Sequence, residues 1–486
     1  MRSIRFPLTA VLFSVCIAVV MISASAVRAD QVMNNLDFSL HQHQGAEDGP
    51  TLLVIGGIQG DEPGGFNAAS LLVTHYTILR GNVWIVPNLN FISIIRRNRG
   101  VYGDLNRKFA LLRSSDPEYS VIKKIKSIID TDSVNLVLNL HDGSGFYRPE
   151  YTDAMHSPHR WGQSVIIDQE SIDAPYGQLM GMASQVVERV NKALRDPEHA
   201  YHVKNTETRL GDHEMEKTLT YFAINQGKAA FGIEASKDFP TSLRTYYHLQ
   251  ALEAFMDLMG IEYTRDFELN VADVRKTIDT DAAVALYDNR IFLDLRDVRS
   301  TLRYVPLKKN AQLAFASTNP LVTVVGQGSN YDVYYGNRLI TNMHPQYFDY
   351  ETSPQVVTLN VDGRSMDVPM GRRVQVADSF SVAPRKGYRV NVIGFTQAGV
   401  DNECGIPIRR ADIMEHYSVD TDGSVYRVEV YREDSDTFCG MVLVDFDTSR
   451  QGPAPDQQPH TISPVRVVTR DKGPAAAAHG DSAASR

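Results

Sequence analysis

The chain has 486 residues, 43% of them hydrophobic and 22% charged, which is ordinary globular usage and excludes collagen-like, coiled-coil and fully disordered chains. Asp and Glu (58) outnumber Lys and Arg (49), for a net charge of −9. An acidic whole argues against a sequence-independent nucleic-acid binder, which needs a basic face. At roughly 150 residues per domain, the length suggests two or three domains.

The first 29 residues read as a secretory signal peptide. Arg2 and Arg5 precede an uncharged apolar run over 8–24, and Val27-Arg28-Ala29 supplies a small-x-small cleavage site before Asp30. A retained anchor is the rival, because the run is nearly long enough to span a bilayer. The reading therefore expects export to the periplasm. Cys16 would leave with the signal, so Cys404 and Cys439 remain as an even pair in an oxidising compartment. They are expected to form a disulfide, with two buried free thiols as the alternative.

From about 35 to 263, apolar strands alternate with helical periodicity. Strands are predicted over 51–56, 82–87, 134–141 and 229–234. Helices are predicted over 65–79, 118–129, 174–194, 213–226 and 242–259. This rhythm indicates an α/β domain on a mixed, largely parallel sheet. From about 267 short alternating segments replace the helices. Tyr334-Tyr335-Gly336-Asn337 and Val361-Asp362-Gly363-Arg364 look like hairpin turns, and strands are predicted over 388–395, 424–431 and 440–446. Two small all-β modules are expected, 264–350 and a sandwich-like 351–448. The Pro/Ala/Gly/Ser-rich residues 449–486 are expected to be a disordered tail.

The chemistry gathers in the α/β half. Gly56-Gly57-Ile58-Gln59-Gly60-Asp61-Glu62-Pro63-Gly64-Gly65 follows a strand and opens a helix, where sites form in open α/β sheets. No Gly-Lys-Ser/Thr follows, which excludes a Walker phosphate loop. Leu138-Asn139-Leu140-His141-Asp142-Gly143 ends a second strand in a histidine. Gln59, Glu62 and His141 together have the layout of a catalytic zinc site, two donors close in sequence and one far away, with a fourth position left for water. Arg96-Arg97-Asn98-Arg99-Gly100 and Tyr102-Gly103-Asp104-Leu105-Asn106-Arg107-Lys108-Phe109 form a dense cation cluster in an acidic protein. A solvated basic loop is the bland reading; Asn106 and Arg107 also suit a planar grip on a carboxylate. Phe231-Gly232-Ile233-Glu234-Ala235-Ser236 ends a strand in an acid fit to be a general base.

In this order the motifs resemble the zinc carboxypeptidases of the carboxypeptidase A type, with Gln59 standing where most of that family has histidine. The glutamine, with Gly57 through Phe66, Leu140-His141-Asp142-Gly143, Arg160-Trp161-Gly162, Ile166-Ile167-Asp168-Gln169 and Glu234-Ala235-Ser236-Lys237, is similar to a narrower branch. That branch comprises the cell-shape-determining peptidoglycan carboxypeptidases of curved and helical Gram-negative bacteria. The resemblance covers nearly the whole chain between signal and tail. It implies an α/β carboxypeptidase domain followed by two β modules, and one Zn²⁺ held by Gln59, Glu62 and His141. It implies Glu234 as general base, and Arg99, Asn106, Arg107, Trp161 and Thr220 as substrate contacts. The implied reaction removes the terminal meso-diaminopimelate from a muramyl tripeptide, cutting after D-glutamate to leave a dipeptide. Gln59 is a neutral, weaker ligand than imidazole, so lower zinc affinity is expected. The peptidoglycan muropeptide is the expected partner, with cell-wall or shape-complex proteins reached through the β modules and no nucleic acid. Two alternatives stay open, a zinc deacylase of small N-acyl amino acids and a non-catalytic wall-binding scaffold.

Overall fold

The structure is a computed structural model that describes residues 36–280 and 282–449. The expected signal and tail lie outside these residues. No helix among the described residues is long and apolar enough to cross a membrane.

The α/β half is built on one twisted sheet. Strands β1 (His41–Gln44), β2 (Glu47–Ile55), β3 (Tyr76–Val86) and β4 (Val134–Gly143) come first. A short parallel pair follows off the sheet, β5 (Phe146–Tyr147) and β6 (His156–Ser157). Strands β7 (Ser164–Ile167), β8 (His202–Asn205), β9 (Ala229–Ser236) and β10 (Glu262–Arg265) complete it. Among the described residues the order is β1-β3-β2-β4-β9-β7-β8, with β10 pairing the free half of β3 beyond β1. The pairs β3–β2, β2–β4 and β4–β9 are parallel, and β7 runs antiparallel to β9. The central strands are apolar on both faces because helices cover both: Leu52–Ile55 and Leu136–Leu140 are buried throughout.

The helices are α1 (Pro63–His75), α2 (Phe91–Ile95), α3 (Tyr119–Ile129), α4 (Leu179–Lys192), α5 (Leu219–Asn225), α6 (Thr241–Met259) and α7 (Val271–Thr280). Helix α3 shows the expected amphipathic spacing, burying Ile122, Ile125 and Ile129 and exposing Lys123 and Lys124. Three predictions shift. The helix expected to 79 ends at His75, because β3 claims Tyr76–Arg80 to pair with β10. The stretch 213–226 splits into a 3-10 turn at Met215–Lys217 and α5, with Thr218 capping Tyr221 N through its hydroxyl. Helix α7 falls where only strands were expected: Val274, Thr277 and Ile278 form a buried stripe, and the helix packs against α6.

The first β module contains β11 (Ala283–Leu286), β12 (Ile291–Asp294), β13 (Thr301–Lys308), β14 (Phe315–Ser317), β15 (Val322–Gln327), β16 (Asn330–Tyr335) and β17 (Arg338–Phe348). Its core is continuous with that of the α/β half. The second module has β18 (Val356–Val361), β19 (Arg364–Pro369), β20 (Arg373–Gln375), β21 (Ser379–Val382), β22 (Tyr388–Val392), β23 (Ile408–Arg409), β24 (Val425–Arg432) and β25 (Phe438–Asp445). They form two four-stranded sheets around a separate apolar core. Both predicted hairpin turns are present, β16–β17 through Gly336-Asn337 and β18–β19 through Asp362-Gly363, whose φ of 50° and 79° suit a two-residue turn.

The expected disulfide is not formed. Cys404 and Cys439 are free thiols. The Cys439 side chain lies in the second module's core and donates to Thr437 O. Cys404 packs on the edge of the same core while its backbone N–H is held by Asn402. Each serves as a small apolar residue, and burial pushes both thiols up, Cys439 to about 11.

Candidate active site

Three parallel strand ends build the site. β4 and β9 pair in register with His141 opposite Glu234, so both side chains leave the same face at the same level. β2 ends at Ile55, and the glycine-rich turn after it carries Gln59 and Glu62 to the same place. Gly143 keeps the centre open: a Cβ there would lie 2.6 Å from the Trp161 Cβ and 2.7 Å from Glu234 Oε2.

Gln59, Glu62 and His141 meet. His141 Nδ1 lies 3.2 Å from Gln59 Oε1 and 2.9 Å from Glu62 Oε2. All three side chains are buried. Glu62 Oε2 also accepts from Asp142 N, while Glu62 Oε1 faces Lys237 Nζ at 3.2 Å and Arg99 Nη1 at 3.5 Å. Burial opposes a charge on His141, but the hydrogen bond and charge of Glu62, aided by Glu234, raise its pKa above the usual value. Two oxygens that gather round a protonated nitrogen fit the donor set of a divalent cation: a carboxylate, an imidazole and an amide oxygen. Among the described residues no three His, Cys, Asp or Glu form a metal-type cluster. The third donor here is the amide oxygen of Gln59.

Asp104, quoted in the sequence motif but given no role, fixes the Gln59 amide. Its Oδ1 accepts from Gln59 Nε2 at 2.8 Å and from Asn106 N at 3.0 Å, and its Oδ2 accepts from Arg99 Nε at 3.0 Å. With Nε2 engaged, Oε1 is the end left facing His141. Asp142 does similar work behind the site. It accepts from Gly64 N and Arg244 Nη1 and pairs with buried His248, thereby pinning the start of α1 to the end of β4. Burial opposes its charge, yet His248 and Arg244 hold its carboxyl below the usual range.

Glu234 is the exception in this bonded setting. It is buried, and its Oε2 has no hydrogen-bond partner. Burial, with the charges of Glu62 and Asp142, pushes it up to about 8 against the opposing pull of His141 and Lys237. A bare carboxyl group opposite a set of cation donors is poised for proton transfer.

The remaining predicted residues sit around this centre. Asn106 contacts His141 Nε2 through Nδ2 at 3.3 Å, and its Oδ1 accepts from Leu219 N. Arg99 is half exposed beside Glu62 and Asp104. Arg107 does not reach the donors; it binds Asn106 O and faces Glu214 at 3.8 Å. Thr220 lies behind Asn106 on α5, its hydroxyl 3.2 Å from Thr218 Oγ1 and also bonded to Asp168. Trp161 supports Lys204, whose Nζ stands 4.5 Å from its ring and 4.4 Å from that of Tyr147. Sequence reasoning gave no role to Asp104, Asp142, Lys204 or Lys237. Their only signal was adjacency to residues already chosen, except for Lys204, which had none.

A largely parallel sheet with oxygen and imidazole donors at its strand ends, and a bare carboxyl group beside them, has the architecture of an α/β metallohydrolase. Residues 14–279 match the family model described as the catalytic part of a carboxypeptidase controlling helical cell shape, and residues 350–447 match the C-terminal domain of metallo-carboxypeptidase. The chain is 40% identical to the cell shape determinant Csd4 of Helicobacter pylori in its apo form, over 84% of this chain and 100% of that one, with a TM-score of 0.78. The mDAP-bound form of Csd4, described as a D,L-carboxypeptidase, matches at 40% identity over 83% and 99%, with a TM-score of 0.78. A tripeptide-bound form matches at 40% over 84% and 100%, with a TM-score of 0.77. No curated protein matches the chain. The chain belongs to the family of carboxypeptidases that control helical cell shape, and it is a metallocarboxypeptidase. The deacylase and scaffold alternatives are therefore not retained.

Proposed function

We propose that this enzyme is a zinc-dependent periplasmic D,L-carboxypeptidase that removes meso-diaminopimelate from muramyl tripeptide and leaves the dipeptide. The observation that carries the reading is the meeting of Gln59 Oε1, Glu62 and His141 Nδ1 in front of the unpartnered Glu234 carboxyl group. The mDAP- and tripeptide-bound forms of the similar Csd4 support the substrate class. The basic, then apolar, residues before Ala29 support export.

Gln59, Glu62 and His141 would hold Zn²⁺. When bound, the ion supplies Lewis-acid polarisation of the scissile carbonyl and acidifies water at the site. Glu234 accepts the proton of the attacking water and passes it to the departing amine. Lys237 supplies positive charge that favours the ionised form of Glu234. Arg99 is fixed by Asp104 and Glu62 and retains N–H groups to receive the carbonyl oxygen as charge develops on it. Arg107 and Asn106 would orient the carboxylates of the leaving residue, with Asn106 held by α5 through Leu219 N.

The test is a digest of muramyl tripeptide by purified, zinc-loaded protein, followed by mass spectrometry. Release of one diaminopimelate, lost with chelator and in Glu234→Ala, is the expected result. Full release by Glu234→Ala would overturn the assignment of the base. No release by a zinc-loaded wild type would overturn the substrate.

A further inference from the structure

Lys204 lies on β8, the last strand in the order of the sheet, and does not carry its ammonium out to water as a lysine in such a place ordinarily does. It pairs across from Ile166, and Ile166 across from Gly232, two residues before Glu234 on β9. Partners in register share a face, as do positions two apart on a strand, so Lys204 stands on the face that carries Glu234 and His141. From there its half-buried side chain turns to the segment that joins β4 to β7. Nζ donates to Pro158 O at 2.6 Å and to Arg160 O at 3.3 Å. It also stands over the rings of Tyr147 and Trp161, 4.4 Å and 4.5 Å from their centroids. Burial lowers its pKa, against the charge of Glu234. A half-buried ammonium is costly unless it is well partnered, and all four partners belong to residues 147–161.

That segment closes on the catalytic centre. A Cβ at Gly143 would meet the Trp161 Cβ and Glu234 Oε2 alike, so the tryptophan and the carboxyl group flank one point. A Cβ at Gly162 would lie 2.1 Å from Gly145 O and 2.7 Å from the Ser236 Cα, so the chain after Trp161 is pressed onto the end of β9. Trp161 N donates to Ser144 O at 3.2 Å, and Trp161 O accepts from Ser164 Oγ at 2.6 Å. These bonds hold the Trp161 backbone; the ammonium of Lys204 holds the ring.

We propose, on the substrate reading given above, that Lys204 is a positioning residue: it clamps the Trp161 indole, through the ring and through the carbonyls of Pro158 and Arg160, as a fixed wall beside Glu234 against which the muropeptide packs. Lys204 acts through Trp161 and not on the reacting atoms. A preset wall spares the complex the cost of ordering the indole when substrate binds. That cost falls equally on the ground state and the transition state, so loss of the clamp raises KM and leaves kcat.

The test measures kcat and KM of the zinc-loaded protein on muramyl tripeptide. Lys204→Met keeps the length of the side chain and removes its charge. It is expected to raise KM about tenfold with kcat within about twofold, as loss of the ring contacts and carbonyl bonds would give. Lys204→Arg keeps a cation over the rings and is expected to recover most of the loss. Tyr147→Leu removes one ring and is expected to raise KM about threefold; it decides the matter if Lys204→Met does not fold. An unchanged KM would overturn the proposal, and so would a change confined to kcat, the mark of a charge effect on Glu234 alone. A second readout needs no turnover. Trp84 and Trp161 are the two tryptophans of the chain, so Trp84→Phe leaves Trp161 as the sole indole. In that background acrylamide quenching of its fluorescence is expected to rise about twofold with Lys204→Met, as the ring is released, and to return with Lys204→Arg. Equal quenching with all three residues at position 204 refutes the clamp. If the wild type releases no diaminopimelate, the substrate reading fails on its own, and the quenching still decides whether Lys204 holds the ring.

Discussion

The catalytic sheet and the second β module both bury charge, and they treat it in opposite ways. In the module, Asp445 is fully buried and saturated: Arg373 grips it through two nitrogens, Gln375 donates at 2.8 Å, and its Oδ1 takes Asp447 N. At the strand ends of the catalytic sheet, Glu234 is almost as buried but has a bare oxygen. The saturated group adds rigidity and holds β20 to β25. The bare one retains the capacity to take up and give back a proton. A buried charge contributes to structure when its partners are complete, and to chemistry when one partner is left for the substrate.

The comparison is broken most sharply by isosteric neutralisation. Glu234→Gln is expected to lower kcat about a thousandfold, equivalent to about 4 kcal/mol, with melting temperature and zinc content nearly unchanged. Asp445→Ala is its mirror image: about 3 kcal/mol of stability lost in urea melts, because Arg373 is left without its main partner, and little change in turnover per folded molecule. Asp104→Ala frees the Gln59 amide to rotate. Zinc affinity should fall between about 10- and 100-fold by competition with a chromophoric chelator, and Asp104→Asn should recover part of it.

A smaller effect belongs to Glu403, where burial raises the carboxyl to about 7 despite the bond it accepts from Val392 N. Its folded pKa exceeds its unfolded value, so its contribution to stability is complete below about 4.5 and lost as pH rises through about 7. Glu403→Gln should therefore raise stability at pH 8 by about 1–2 kcal/mol and leave it unchanged at pH 4, as read by urea melts at the two pH values. Glu234 sharpens the contrast with a different readout. Its carboxyl should titrate near 8 in metal-free protein and lower when zinc is added, because a nearby cation favours the carboxylate; carbon-13 NMR of the side chain would follow both states.

Much of this molecule is local and therefore readable in the chain. Apolar runs at 51–56 and 134–141 could only be covered strands, and a parallel sheet places whatever ends them on one edge. That is why Gln59, Glu62, His141 and Glu234 were legible as a set. The turns at Gly336-Asn337 and Asp362-Gly363 were equally plain, since their conformation depends on two residues. What needed the tertiary structure was everything settled by partners distant in sequence. The strand at Tyr76–Arg80 exists because β10 lies beside it, and α7 because α6 offers its stripe a surface. Cys404 and Cys439 stay apart because the core claims each as an apolar residue. Asp104 chooses the amide end that faces His141, and Glu234 is left bare by its neighbours. Periodicity records what one segment prefers, whereas hydrogen-bond accounting at a buried site depends on several segments at once, and only their packing decides which polar group is left without a partner.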